Sequence, residues 1–294
     1  FPCGSITGAP KVRTMEIIAE LEREPRGIYT GCIGYISPGG EACFNVAIRT
    51  AHLDREKGQL EFGVGGGITW GSSAPAEYAE CLVKAQFLHA RRPEFELLET
   101  LLCENGVFYL LDRHCERLAA SAAYWDFAFD RERVIEKLEE SVKGLEDKVL
   151  RVGLTLSRKG KIAVQVAPQS SPTKLRVALA VEKVDTTDPF LYHKTTHRAL
   201  YEVQLAALPE CDDVLLHNER GELTECCMGN LVIERAGQCY TPPVEAGLLA
   251  GTFRAELLAR GEIRERALKI DDLARADALY LINSVRRWVE LELV

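Results

Sequence analysis

Apolar positions along this chain form two successive patterns, one ending and the other beginning near residue 92. Pro10 opens the first, and Val12, Met15, Ile18 and Leu21 then recur at helical spacing until Pro25 and Gly27, which predicts a helix. Three strand-like runs follow, 29–36, 43–53 and 59–64, separated by Pro38-Gly39-Gly40 and by a charged turn. Residues 75–90 read as a helix that Arg91-Arg92-Pro93 breaks. The order of elements resets there, so the module boundary is placed at 91–94, giving residues 1–92 and 93–294.

The second pattern starts with a hairpin, 97–102 and 107–111, around Glu104-Asn105-Gly106. Helices are expected at 113–125 and 130–145, the latter with Val134, Ile135, Leu138, Val142 and Leu145 on one face. Strands are expected at 149–156, 161–167 and 175–182, with a turn at 157–160. Asp188-Pro189 ends this strand-rich half, and a helix is expected after Arg198.

A length of 294 residues accommodates two domains. With 36 Lys+Arg against 44 Asp+Glu and no basic stripe, nucleic acid is not an expected partner. Anionic small molecules are, because a pocket can be locally basic on an acidic protein. No apolar run reaches the ~18–20 residues of a membrane span and no signal peptide opens the chain, so a soluble, cytoplasmic protein is expected. The ten cysteines show no metal-ligand or CxxC spacing and read as reduced thiols, with Cys226-Cys227 packed in a core. Because residue 1 is Phe, the natural N-terminus is expected to lie elsewhere.

Candidate chemistry centres on Lys194, set among aromatic and apolar neighbours in Phe190-Leu191-Tyr192-His193-Lys194-Thr195-Thr196-His197-Arg198. Partial burial beside Arg198 would lower its pKa, as a nucleophilic amine requires. An isolated lysine is usually just solvated, so its company decides. The stretch 188–201 resembles the lysine region of the fold-type IV pyridoxal-phosphate (PLP) enzymes, the family of aminodeoxychorismate lyase and of branched-chain and D-amino-acid aminotransferases. Residues 111–118, 224–231 and 247–254 resemble three further motifs of that family, in the same order, so the resemblance covers about 94–294.

That resemblance implies an α/β (α+β) fold of the D-amino-acid-aminotransferase type, two subdomains with PLP between them, usually in a homodimer. Lys194 would carry the cofactor covalently, and Glu225 would face the pyridine nitrogen, which stays protonated only beside a carboxylate. Arg117 would hold the phosphate with a forked contact, and Thr252 and Phe253 would offer backbone N–H groups where Gly251 turns into a helix. Arg198, Asn283 and Arg286 are candidate substrate contacts, with structural roles as the alternative for the last two.

The first module begins Phe1-Pro2-Cys3-Gly4-Ser5-Ile6-Thr7-Gly8-Ala9-Pro10-Lys11, similar to the GSITGAPK signature of chorismate-utilising enzymes, although Pro2-Cys3 replaces the usual Pro-Gly. The family of anthranilate synthase and aminodeoxychorismate synthase component I is also resembled at 26–31, 47–50, 64–68 and 77–80. By this resemblance Thr7, Gly8, Tyr29, Arg49, Gly65, Gly66, Gly67 and Lys84 belong to an incomplete chorismate-type site, since a dicarboxylate calls for cationic and N–H donors. Glu80, with Glu77 nearby, would be a Mg²⁺ ligand in the intact synthase. Only the C-terminal part of an α+β chorismate-binding domain is recognised, so this chain is not expected to aminate chorismate. The full-length protein is expected to be a synthase–lyase fusion that works with a glutamine amidotransferase subunit.

Two features favour a lyase over an aminotransferase acting on branched-chain or D-amino acids. Arg198-Ala199 stands where aminotransferases of the family tend to have Asn-Tyr, and the first module would make the lyase substrate, aminodeoxychorismate. A non-catalytic remnant is the third reading, and the intact set of PLP motifs counts against it.

Overall fold

Residues 2–88, 93–145, 148–170 and 172–294 are described by the computed structural model. The chain divides into two units, 1–92 and 93–294. Residues 91 and 92 of the expected boundary, and 89 and 90 of the expected helix 75–90, lie outside the described residues.

In the first unit, α1 (Gly4–Thr7) and α2 (Lys11–Leu21) precede β1 (Cys32–Ile36), β2 (Ala42–Val46), β3 (Ala51–Asp54), β4 (Gln59–Phe62) and α3 (Ala74–Ala85). The run 43–53, expected as one strand, is two. β2 pairs with β1 and β3 with β4 in separate antiparallel hairpins, because Arg49 at φ 50° turns the chain between them. The apolar stripe of α2 is not covered: Val12 is 73% and Leu21 76% exposed.

The second unit contains two sheets. The first comprises β5 (Leu97–Glu104), β6 (Val107–Phe108), β7 (Val149–Leu156) and β8 (Ile162–Pro168), in the antiparallel order β6-β5-β7-β8. Asn105 and Gly106 both have positive φ, 52° and 75°, as a two-residue hairpin turn of this hand requires. β6 is shorter than expected because Leu110 at φ 54° diverts the chain into α4 (Leu111–Trp125). The helix α5 (Arg131–Val142) follows, capped by Asp130, whose carboxylate accepts from Arg133 N. Leu97 and Leu101 of β5, Val152 and Leu154 of β7, Leu118 and Leu138 form the core between sheet and helices.

The second sheet is built from β9 (Lys174–Leu179), β10 (Asp213–His217), β11 (Leu223–Cys226), β12 (Gly229–Arg235), β13 (Gln238–Thr241), β14 (Arg264–Glu265), β15 (Ala278–Asn283) and β16 (Arg287–Leu293). Its order is β11-β10-β9-β16-β15-β12-β13-β14, and β12 also pairs with β11, closing six strands into a ring. Two helices flank it, α6 (Ala199–Ala207) and α7 (Thr252–Ala259). Leu215, Leu223, Leu231, Leu281 and Val289 fill its core. Cys226 and Cys227 are buried thiols, in line with the packing role expected of them. Among the described residues, no helix is long and apolar enough to cross a membrane.

Candidate functional site

Lys194 lies on a segment stitched along the start of β5. Its carbonyl accepts from Leu98 N at 2.9 Å, Thr196 N donates to Glu96 O at 2.9 Å, and Thr195 bridges Leu97. Burial pulls the Lys194 ammonium down to about 8; Arg117 and then Arg198 add to the shift, and Glu99 and Glu225 oppose it. Arg198, the cation read from the sequence, is thus the second in effect, and Arg117 is the first.

Glu225 is buried on β11. Its Oε1 accepts from the Tyr201 hydroxyl at 2.9 Å, and its Oε2 from Asn230 Nδ2 at 3.2 Å and Leu249 N at 3.3 Å. None of these donors carries a charge, and burial pushes the carboxyl up to about 8 against them and against Lys194 and Arg198. A protonated pyridine nitrogen is the kind of partner that would return this group to its ionised form, so the carboxyl fits the PLP role.

Gly251 leads into α7, whose first N–H groups, those of Thr252 and Phe253, have no partner within the helix. Such an end suits an anion. A Cβ on Gly251 would stand 2.0 Å from Asn230 Oδ1. Asn230 Nδ2 donates to Leu249 O at 2.8 Å as well as to Glu225, so one amide ties this turn to the carboxylate. Arg117 reaches the same turn: its Nη1 lies 3.3 Å from Ala250 O, while Nε and Nη2 fork onto Glu99 at 2.8 and 2.6 Å. Although burial raises Glu99, Arg117 and then His114 hold it down at about 2. His114 Nδ1 lies 2.6 Å from Glu99 Oε2, and its Nε2 lies 3.2 Å from Thr252 Oγ1. The structure thus brings Arg117, Thr252 and Phe253 to one turn, with Lys194 and Glu225 coupled to the same charges.

Glu99, His114, Asn230 and Tyr201 were missed in the sequence. Glu99 left a signal, an acid in the inward register of Leu97, Leu101 and Cys103 on β5. Asn283 serves its own turn: Nδ2 donates to Met228 O at 3.0 Å, and Oδ1 accepts from Val285 N and Arg286 N at 3.0 and 2.8 Å. That favours its structural reading. Arg286 keeps Nη1 buried without a protein partner, and Arg198 donates to Cys227 O at 2.7 Å while lying over the Tyr201 ring.

In the first unit, Lys84 Nζ is 2.5 Å from Glu80 and donates to Gly65 O at 2.8 Å. Built Cβ atoms on Gly65 and Gly66 would stand 2.7 Å from the Tyr29 hydroxyl and 2.5 Å from Glu77 Oε2, so these residues converge. Thr7 and Tyr29 also line a cleft of about 550 Å³ beside α2. Gly8 has φ 85° after α1; Gly67 has nothing within 4 Å of its Cβ direction, and Arg49 is exposed. Among the described residues no three His, Cys, Asp or Glu side chains gather to hold a metal.

Two family models match the chain, chorismate binding enzyme over residues 1–90 and amino-transferase class IV over residues 96–293. This chain belongs to the class IV aminotransferase family. It is 34% identical over 205 residues to a Schizosaccharomyces pombe protein provisionally named an aminodeoxychorismate lyase, covering 66% of this chain and 87% of that protein. It also resembles a Mesorhizobium loti structure provisionally described as an amino-acid aminotransferase: 36% identity, TM-score 0.65, 68% of this chain and 100% of that one. The chain is also 46% identical over 100 residues to an aminodeoxychorismate synthase of Streptomyces griseus, 34% of this chain but 13% of that protein. Curated chorismate-family relatives include both aminodeoxychorismate synthases and anthranilate synthase components, and the chain spans only 9–19% of their lengths.

Proposed function

We propose that residues 93–294 are an aminodeoxychorismate lyase, using PLP to convert 4-amino-4-deoxychorismate to 4-aminobenzoate and pyruvate, on a polypeptide that also carries part of an aminodeoxychorismate synthase. Class IV relatives include proteins named for both lyase and aminotransferase activity. What favours the lyase is the chorismate-family segment on the same chain, for a synthase of that kind makes this substrate.

Bound PLP supplies an electron sink that acidifies the substrate C–H beside the amino nitrogen. Once the substrate amine has taken its place on the cofactor, the freed Lys194, whose ammonium burial pulls down to about 8, would take that C4 proton at Nζ. The ring C3–O bond breaks, its electron pair leaves with enolpyruvate, and Lys194 returns the proton to the methylene carbon, giving pyruvate and an aromatic ring. Glu225 would hold the pyridine nitrogen protonated; Arg117 and the Thr252 and Phe253 amides would hold the phosphate. Arg286, with an unpaired guanidinium nitrogen, and Arg198 would receive substrate carboxylates. By resemblance, the proposal extends to a cytoplasmic homodimer, to a glutamine amidotransferase partner, and to Mg²⁺ at Glu80 in an intact synthase.

The aminotransferase reading rests on the Mesorhizobium loti relative. Incubation with aminodeoxychorismate and PLP tests both: 4-aminobenzoate and pyruvate in equal amounts support the lyase. Keto-acid formation from branched-chain or D-amino acids, with no 4-aminobenzoate, would sink it.

A further inference from the structure

Arg117, Glu99, His114 and Thr252 form an unbroken hydrogen-bonded chain from α4 through β5 to the first residue of α7. The proposed reaction assigns nothing to its two middle members, each 2% exposed.

Its proton inventory can be worked out link by link. Glu99 already accepts two bonds from Arg117 and is an acceptor only, so His114 Nδ1 carries the hydrogen that meets it. Burial lowers the pKa of His114, and Arg117 and Lys194 add to this while Glu99 opposes it. The ring at rest is therefore neutral, with a bare lone pair at Nε2. Thr252 Oγ1 must then donate to His114. Its lone pairs, and not its hydrogen, are left for the start of α7. A phosphate dianion brings acceptors only, so beside it the hydroxyl has to reverse, and Nε2 then faces an oxygen and needs a proton of its own.

We infer that His114 is a positioning residue of the phosphate end, taking up one proton from solvent when a phosphate monoester dianion settles at the start of α7. The Thr252 hydroxyl turns from His114 to the phosphate, and Glu99 keeps Arg117 in register. No covalent bond other than that N–H changes. Groups facing His114 are Glu99 from β5, Arg117 on its own helix, Thr252 on α7 and Lys194 from the segment along β5. Glu99 and the arriving dianion favour the charged ring; Arg117 and Lys194 disfavour it. This inference rests on the PLP reading above.

Calorimetric titration of the full chain with PLP and with pyridoxal, in two buffers of different ionisation enthalpy at about pH 7.5, counts protons taken up on binding. Exchange at Lys194 is common to both ligands and cancels in the difference. The wild-type protein is expected to take up about one more proton with PLP than with pyridoxal, and His114→Gln, whose amide does not titrate, is expected to show no difference. An unchanged difference in His114→Gln, or none in the wild type, overturns the inference. Should that variant fold poorly, Thr252→Val provides the same test, since the difference should vanish without the hydroxyl. A merely structural His114 would alter affinity and leave the proton count alone. If PLP gives neither heat nor an absorbance band, the cofactor reading falls too; binding without the proton difference refutes this inference alone.

Discussion

The hydroxyl of Tyr201 donates to Oε1 of Glu225 across 2.9 Å, joining α6 to the strand that carries the most strongly raised carboxyl of the site. Tyr201 also lies beneath the Arg198 guanidinium, so one side chain sets the carboxylate and a candidate substrate contact together.

Folding raises Glu225 from 4.5 to about 8 because burial outweighs its neutral donors. The folded, ligand-free chain therefore binds an extra proton between those values. The resulting destabilisation is absent below the lower value, grows with rising pH and is complete above the upper one, on the order of a few kcal/mol. Urea denaturation at pH steps across that window should show stability falling, and Glu225→Gln should flatten the slope. PLP binding should flatten the pH slope in the wild type, whereas in the variant it should stabilise by an amount independent of pH across that window.

Glu99 behaves oppositely. Held at about 2 when folded, it contributes stability that is fully present above 4.5 and lost as pH falls toward 2. Glu99→Gln leaves the part-buried Arg117 guanidinium without its counter-charge, an expected loss of about 2–4 kcal/mol. Thermal melts and denaturant midpoints measure this, and an equal midpoint in variant and wild type would contradict it.

Lys194→Ala should abolish covalent capture of PLP, read by mass after borohydride reduction, and lower lyase turnover by about 100- to 10,000-fold or more. In the wild type, the rate of PLP capture should rise with pH through about 8 as the amine loses its proton. A pH-independent rate would count against this assignment.

Gly251→Ala should be damaging although it adds one methyl. That carbon would stand 2.0 Å from Asn230 Oδ1 and displace the amide from Glu225 and Leu249. The expected cost is about 1–3 kcal/mol of stability, with weaker PLP affinity measurable by fluorescence titration. Asn230→Ala in the same background should relieve most of the strain.

Chorismate, ammonia and Mg²⁺ supplied to this chain should yield no aminodeoxychorismate, because it matches only 13% of the length of the Streptomyces griseus synthase. Chromatographic detection of the aminated product would refute this.

Periodicity located the helices α2, α4 and α5 and the strand β7 well, since each has a repeating pattern longer than a turn. It missed the break at Arg49 and the early end of β6, both set by single residues in the left-handed region, which leave no mark in an apolar pattern. Lys194, Glu225 and Arg117 were legible because they sit in local motifs. Their supports were not: Glu99 meets Arg117 from 18 residues away, Tyr201 meets Glu225 from 24, and Thr252 meets His114 from 138. Only the folded chain brings such partners together. Asn283 shows the converse, a motif residue whose hydrogen-bonding groups are largely spent on its own turn.

The strap that carries Lys194 has a mechanical meaning. Its main chain is an added rung on the sheet of β5, through Leu98 N and Glu96 O, while its charge is governed in part by Glu225 on the closed ring of strands. Any hinge motion between sheet and ring would carry the amine with the sheet and leave the carboxylate behind. The titration of Lys194 would then shift with such a motion.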